Sequence, residues 1–208
     1  MSKGLTVAFL FFAGLYLVAL NFDVAFLWLL KVIPIVILFV AVLKTPSSTK
    51  RTILLIALFL SGCGDLLLAF NLFIYGVAAF LLAQLSYAIM FKSYWQGFQK
   101  RWPLSMALMV CMLTMAWLLL PKLGELQIAV MAYLMAIGTM GILATQSSLP
   151  VRWAVLGALF FIASDTLIAI NKFMMPLPLE GLWVMSTYYG AQFMLVVGFL
   201  TAIDENKE

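Results

Sequence analysis

GALFFIASDTLIAINKF, residues 157–173, is an apolar run broken by one carboxylate, Asp165. A membrane-crossing helix needs about 20 mostly apolar residues, and the six residues before Gly157 complete that length. An ionisable side chain at such a depth costs about 2.5–3.5 kcal/mol even on lenient insertion scales. The rest of the chain has the same character. Of its 208 residues, 66% are apolar and only 10% are charged, where a soluble domain carries about a quarter charged. That composition excludes a soluble enzyme, a disordered chain and a nucleic-acid binder. It points to an all-α polytopic membrane protein, a single transmembrane domain over residues 1–208.

Working outward, the hydropathy pattern predicts eight spans: 4–22, 26–43, 52–71, 75–92, 103–121, 125–145, 151–171 and 182–203. Proline, glycine and polar clusters separate them, among them Lys44–Arg51, Lys100–Pro103, Ser147–Pro150 and Pro176–Pro178. Such residues end helices because they cannot continue the hydrogen-bond ladder or do so at a cost. No A-x-A-like cleavage site follows the first span, so it reads as a permanent helix.

Lysine and arginine set the orientation. Lys3, Lys44, Lys50, Arg51, Lys92, Lys100, Arg101, Arg152 and Lys207 fall on one side, and Lys122 and Lys172 on the other. Nine against two puts both termini in the cytoplasm of a multi-pass integral membrane protein. A bacterial inner membrane and an endoplasmic reticulum both fit.

Residues 65–73, DLLLAFNLF, match residues 165–173, DTLIAINKF, at Asp, Leu, Ala, Asn and Phe. Ala83–Gln84 and Ala191–Gln192 follow in the next spans, 19 and 27 positions after the aspartates. The extra length of the second half falls around Pro176 and Pro178. Equivalent spans are four helices apart and cross the same way, so the pattern predicts a 4+4 parallel internal repeat. Asp65 and Asp165 then lie at matching depth, toward the non-cytoplasmic ends of their helices.

Lys31, Asp65 and Asp165 stand out as ionisable side chains inside spans rather than at their ends, and intramembrane charges mark candidate sites. Small residues precede each aspartate, Ser61–Gly64 and Ala163–Ser164, and allow close helix approach. Tyr188 and Gln192 share one helix face, and Gln84 and Tyr87 another. Lys172 returns to the face of Asp165 if the helix persists. Each has a plainer reading. Lys31 snorkels to the interface, Asn71 and Asn171 cap helices, and the glutamines bind helix to helix. Glu125 and Glu180 read as interfacial. Without histidine, the usual zinc and haem ligands are missing. Cys63 and Cys111 form no CxxC pair.

The blocks KVIP at 31–34, GCGDLLL at 62–68, AQLSY at 83–87, GALFFIASDTLIAINKF at 157–173 and MSTYYGAQ at 185–192 resemble the lysoplasmalogenase-like YhhN transmembrane family. They look closer to its animal-type members. Many relatives have a Thr-His or Ser-His pair where Ala83–Gln84 stands. The resemblance implies cleavage of the vinyl ether of a lysoplasmalogen, a lysophospholipid taken from the membrane. The products are a fatty aldehyde and glycerophosphoethanolamine or glycerophosphocholine. It implies no metal and no organic cofactor.

Vinyl ethers are cleaved by protonation of the β-carbon, addition of water to the oxocarbenium ion, and collapse of the hemiacetal. Two carboxyls suit such a cation, as they do in glycosidases. Held close together out of water they resist double ionisation, so one serves as acid and the other as a negative charge. Asp65 and Asp165 are the catalytic candidates, with Asp165 favoured as the acid. Lys31 suits the phosphate or holds one aspartate ionised. Asn71, Gln84, Tyr87, Asn171, Lys172, Tyr188 and Gln192 are candidates for positioning water and head group. Paired intramembrane carboxylates also describe a proton-coupled transporter, and a lysolipid-binding membrane protein without catalysis is a third possibility.

Overall fold

The computed structural model describes residues 1–98 and 101–205, without the side chains of Asp204 and Glu205. Lys100 and Lys207, two of the charges used for orientation, lie outside the described residues.

Long apolar runs, which in lipid must satisfy their own backbone hydrogen bonds, make the described chain all-helical, with no strand. Its α-helices are α1 Lys3–Ala19, α2 Leu27–Leu43, α3 Thr49–Ala69, α4 Phe73–Lys92, α5 Trp102–Leu119, α6 Gln127–Thr145, α7 Val151–Phe173 and α8 Glu180–Glu205. Two short 3-10 turns, Leu120–Lys122 and Gly124–Leu126, link α5 to α6. Six segments, α3 to α8 with these turns, are long and apolar enough to cross a membrane, while α1 and α2 are apolar but have 17 residues each.

Local chemistry sets the ends. Ser48 Oγ accepts from the Arg51 N–H at 3.1 Å and caps α3, satisfying a donor the helix leaves unpaired. At the other end Asn71 takes the left-handed conformation, φ 60°. Its N–H bonds Leu68 O, and Leu72 N–H bonds Leu67 O, a Schellman motif. Arg101 donates to Thr145 O at 3.2 Å and Ser147 O at 3.1 Å, closing the end of α6.

Helices α2, α3, α4, α6, α7 and α8 each pack on the next, and α8 returns to α2. Helix α1 lies outside against α2 and α8, and α5 lies outside against α6 and, lightly, α7. Its outer face exposes Val110, Leu113 and Trp117, as suits a lipid-facing helix.

Small residues set the closest approaches. A Cβ at Gly64 would stand 2.6 Å from the Phe80 ring of α4, and one at Gly157 would meet the Leu195 side chain at 2.9 Å and its backbone N at 3.2 Å. Gly157→Val therefore pushes α7 off α8. Overpacking of this kind costs about 1–3 kcal/mol, read as a lower unfolding temperature in detergent. An unchanged midpoint would contradict that packing.

Candidate functional site

The polar residues of the predicted blocks meet inside this ring. Asp65, on α3, is 2% exposed. Its Oδ1 lies 3.4 Å from Lys31 Nζ of α2, and its Oδ2 accepts from Tyr188 Oη of α8 at 2.7 Å. Lys31 thus forms a buried ion pair instead of snorkelling freely. Pro34 has no N–H to donate to Leu30 and opens the turn before it. A neighbouring helix can then serve the loosened backbone, and Tyr189 Oη donates to Lys31 O at 2.7 Å. KVIP, GCGD and MSTYYGAQ therefore converge on one cluster.

A second network surrounds Asp165 on α7, which is partly exposed. Tyr133 Oη of α6 donates to Asp165 Oδ2. Gln84 Nε2 of α4 donates to Tyr133 Oη at 3.4 Å, while Gln84 Oε1 is buried with no protein partner. Tyr87 Oη donates to Gln192 Oε1 and ties α4 to α8. Aromatic rings join the two networks: Tyr188 stands edge-on to Phe161 at 5.6 Å and to Phe80 at 5.9 Å.

Two cavities open beside them. A polar crevice of about 260 Å³ lies where α1, α3 and α7 end and α2, α4 and α8 begin. Lys31, Asn171, Lys172, Glu180 and Tyr16 line it. An apolar slot of about 60 Å³, enough for a few waters or a short piece of chain, lies between α4, α6 and α7 and contains Asp165 and Tyr133. Leu68, Phe73 and Ile168 belong to both walls, so the spaces adjoin. A smaller apolar extension continues from Asp165 toward Met112 and Met115.

Of the residues expected from sequence, Lys31, Asn171 and Lys172 line the crevice and Asp165 the slot. Asp65, Gln84, Tyr87, Tyr188 and Gln192 form the buried frame behind them. Asn71 lies in neither wall, exposed at its left-handed turn. Asn171 is no cap: it sits within α7, and its Oδ1 accepts from Leu177 N at 2.8 Å, folding the following loop back on the helix. Sequence reasoning missed Tyr133 and Tyr16 as wall residues. The one available signal for Tyr133 was its position, 102 residues after Lys31, on the helix that would match α2 in a repeat.

Fold and site together define an integral, multi-pass, all-helical membrane protein with two carboxylates enclosed among its helices. The chain belongs to the YhhN family, whose model matches residues 26–199. It is 31% identical over 173 residues to a lysoplasmalogenase of Mycobacterium bovis, covering 79% of this chain and 66% of that protein. It is 33% identical over 181 residues to lysoplasmalogenase TMEM86A of Homo sapiens, covering 79% and 70%. With lysoplasmalogenase TMEM86B of Sus scrofa it shares 37% over 142 residues, covering 67% and 59%. The matched stretch thus spans about two thirds of the length of these curated relatives. No solved structure matches the chain.

Proposed function

We propose that this protein is a membrane-embedded lysoplasmalogen hydrolase that cleaves the vinyl ether by acid catalysis from Asp165. The observation that carries this reading is the adjoining of a cation-lined crevice and an apolar slot holding a carboxyl. A lysophospholipid has the same order of parts. Its phosphate meets Lys31 and Lys172, and its alkenyl chain enters the slot. The slot seats the first carbons only, and the rest of the tail runs out among apolar side chains.

The β-carbon of a vinyl ether lies on the tail side of the ether oxygen, so the acid must stand on the slot side. Asp165 is there, and Asp65 is not. Asp165 gives its proton to the β-carbon, and the double-bond electrons leave a cation on the oxygen-bearing carbon. Asp65, enclosed and bound by Lys31 and Tyr188, is a fixed negative charge that favours this cation. Water held by Gln84 Oε1 adds to the cation and returns a proton to Asp165. The hemiacetal collapses to aldehyde and glycerol hydroxyl. Tyr133 holds one oxygen of Asp165 and leaves the other for the substrate.

The family match and the names of the relatives support this substrate class. The helix packing also supports a 4+4 parallel repeat of eight spans. The neighbours α1–α2–α3–α4 have counterparts in α5–α6–α7–α8, and the contact of α4 with α6 has one in that of α8 with α2. Lys31 on α2 serves Asp65 on α3, as Tyr133 on α6 serves Asp165 on α7. With both termini cytoplasmic, the crevice opens at the opposite face.

Mass spectrometry of purified protein incubated with lysoplasmalogen and with its saturated alkyl-ether analogue tests the function. Only the vinyl ether is expected to disappear, with aldehyde formed in equal amount. Consumption of both ethers, or of neither, would overturn it.

A further inference from the structure

We infer that the alkenyl tail passes outward through the seam between α6 and α7 and lies beneath α5, which serves as its adjustable outer wall. This rests on the lysoplasmalogen reading above and adds to it the path of the hydrocarbon chain.

The slot seats only the first carbons, so a long tail needs a way out. The smaller extension beyond Asp165 shares Val130, Tyr133, Asp165 and Ala169 with the slot, and the two form one apolar space. Past these residues its walls include Met112 and Met115 of α5, Leu134 of α6 and Ile162 of α7. The space thus crosses from inside the helix ring to the helix lying outside it. Both of its ends are closed. Toward the turns that link α5 to α6, Leu119, Leu123 and Val130 pack together. Toward the other end of α6, a Cβ at Gly141 would stand 2.8 Å from Ile162 Cδ1 and 3.5 Å from Leu108 Cδ1. A chain that enters therefore leaves sideways, between α5 and α7, whose contact is light.

At about 40 Å³ the extension holds a short length of chain, and its outer wall is built to yield. Methionine is unbranched and refits to irregular shapes, and both Met112 and Met115 are only half-buried. Ser105 Oγ and Thr145 Oγ1, 2.6 Å apart, fasten the start of α5 to the end of α6, about two turns before Met112. A larger groove of about 230 Å³ runs between α2 and α3. It shares no wall residue with the slot or the crevice, and its Val36 and Phe59 are exposed. Helix α1 packs on α2 and α8 and leaves that seam open, whereas α5 stands over the seam beside Asp165.

Photolabelling of the full chain in detergent micelles tests the path without turnover. The probe is 1-O-hexadecyl-glycerophosphoethanolamine with a diazirine midway along the chain, and the labelling that counts is that suppressed by excess of the plain alkyl ether. It is expected on the segments of α5 and α6 that hold Met112, Met115 and Leu134. Suppressible labelling elsewhere, or none at all, would overturn the path. Turnover gives a second reading. Met115→Trp fills the passage and is expected to lower kcat/KM for the hexadecenyl lysoplasmalogen about 100-fold relative to a propenyl analogue, whose tail ends within the slot, the scale of unseating a few methylenes. Met115→Leu keeps the ratio. A ratio unchanged by Met115→Trp would contradict the path. Absence of aldehyde from both vinyl ethers with the unmodified protein would instead remove the hydrolase reading, and the labelling still decides the path.

Discussion

Asp165→Asn is expected to lower aldehyde release by about 10³-fold, within the range for losing a positioned general acid. Asparagine keeps the shape of the side chain and can still accept from Tyr133 Oη. It has no acidic proton to give to carbon. Asp165 is also only partly buried and carries no ion pair among the described residues, so the fold should survive. The measurement is turnover of lysoplasmalogen by purified variant, beside its unfolding temperature. Near-normal turnover in folded Asp165→Asn protein would remove this carboxyl from the chemistry.

Lys31→Met is expected to damage the fold as well as the activity. It leaves Asp65, 2% exposed, with Tyr188 as its remaining side-chain partner. Removing one member of a buried ion pair costs about 3–5 kcal/mol because the other charge stays enclosed. The variant should unfold at a clearly lower temperature in detergent. Adding Asp65→Asn removes the stranded charge and should recover most of the loss. Turnover should not return, because the double variant has lost both the crevice cation and the negative charge near the reacting carbon. A double variant as unstable as Lys31→Met alone would mean that the ion pair is not what holds α2 to α3.

Hydropathy made the helices legible, because a backbone in lipid has to satisfy its own hydrogen bonds. The span read as 26–43 is α2, Leu27–Leu43, and that read as 151–171 is α7, Val151–Phe173. Asp65, Asp165 and Lys31 stood out for their cost in an apolar setting. What each one touches was not legible, since that depends on which helices become neighbours. Asn71 and Asn171 show this best. They occupy equivalent positions after their aspartates, yet one turns a helix end and the other lies within a helix and pins a loop, because α7 runs on to Phe173. Tyr133 looks like any interfacial tyrosine until α6 is packed against α7. Glu180 looked interfacial because the crevice exists only once α8 lies beside α2.

Isotope analysis of the products tests the proton-to-carbon step most directly. Lysoplasmalogen is turned over in deuterated, ¹⁸O-enriched water, and the aldehyde is reduced as it forms. The account predicts one deuterium on the carbon next to the former carbonyl and no ¹⁸O in the glycerophospho product. Heavy oxygen in the glycerol hydroxyl would place the attack on the glyceryl carbon and contradict protonation of the vinyl ether.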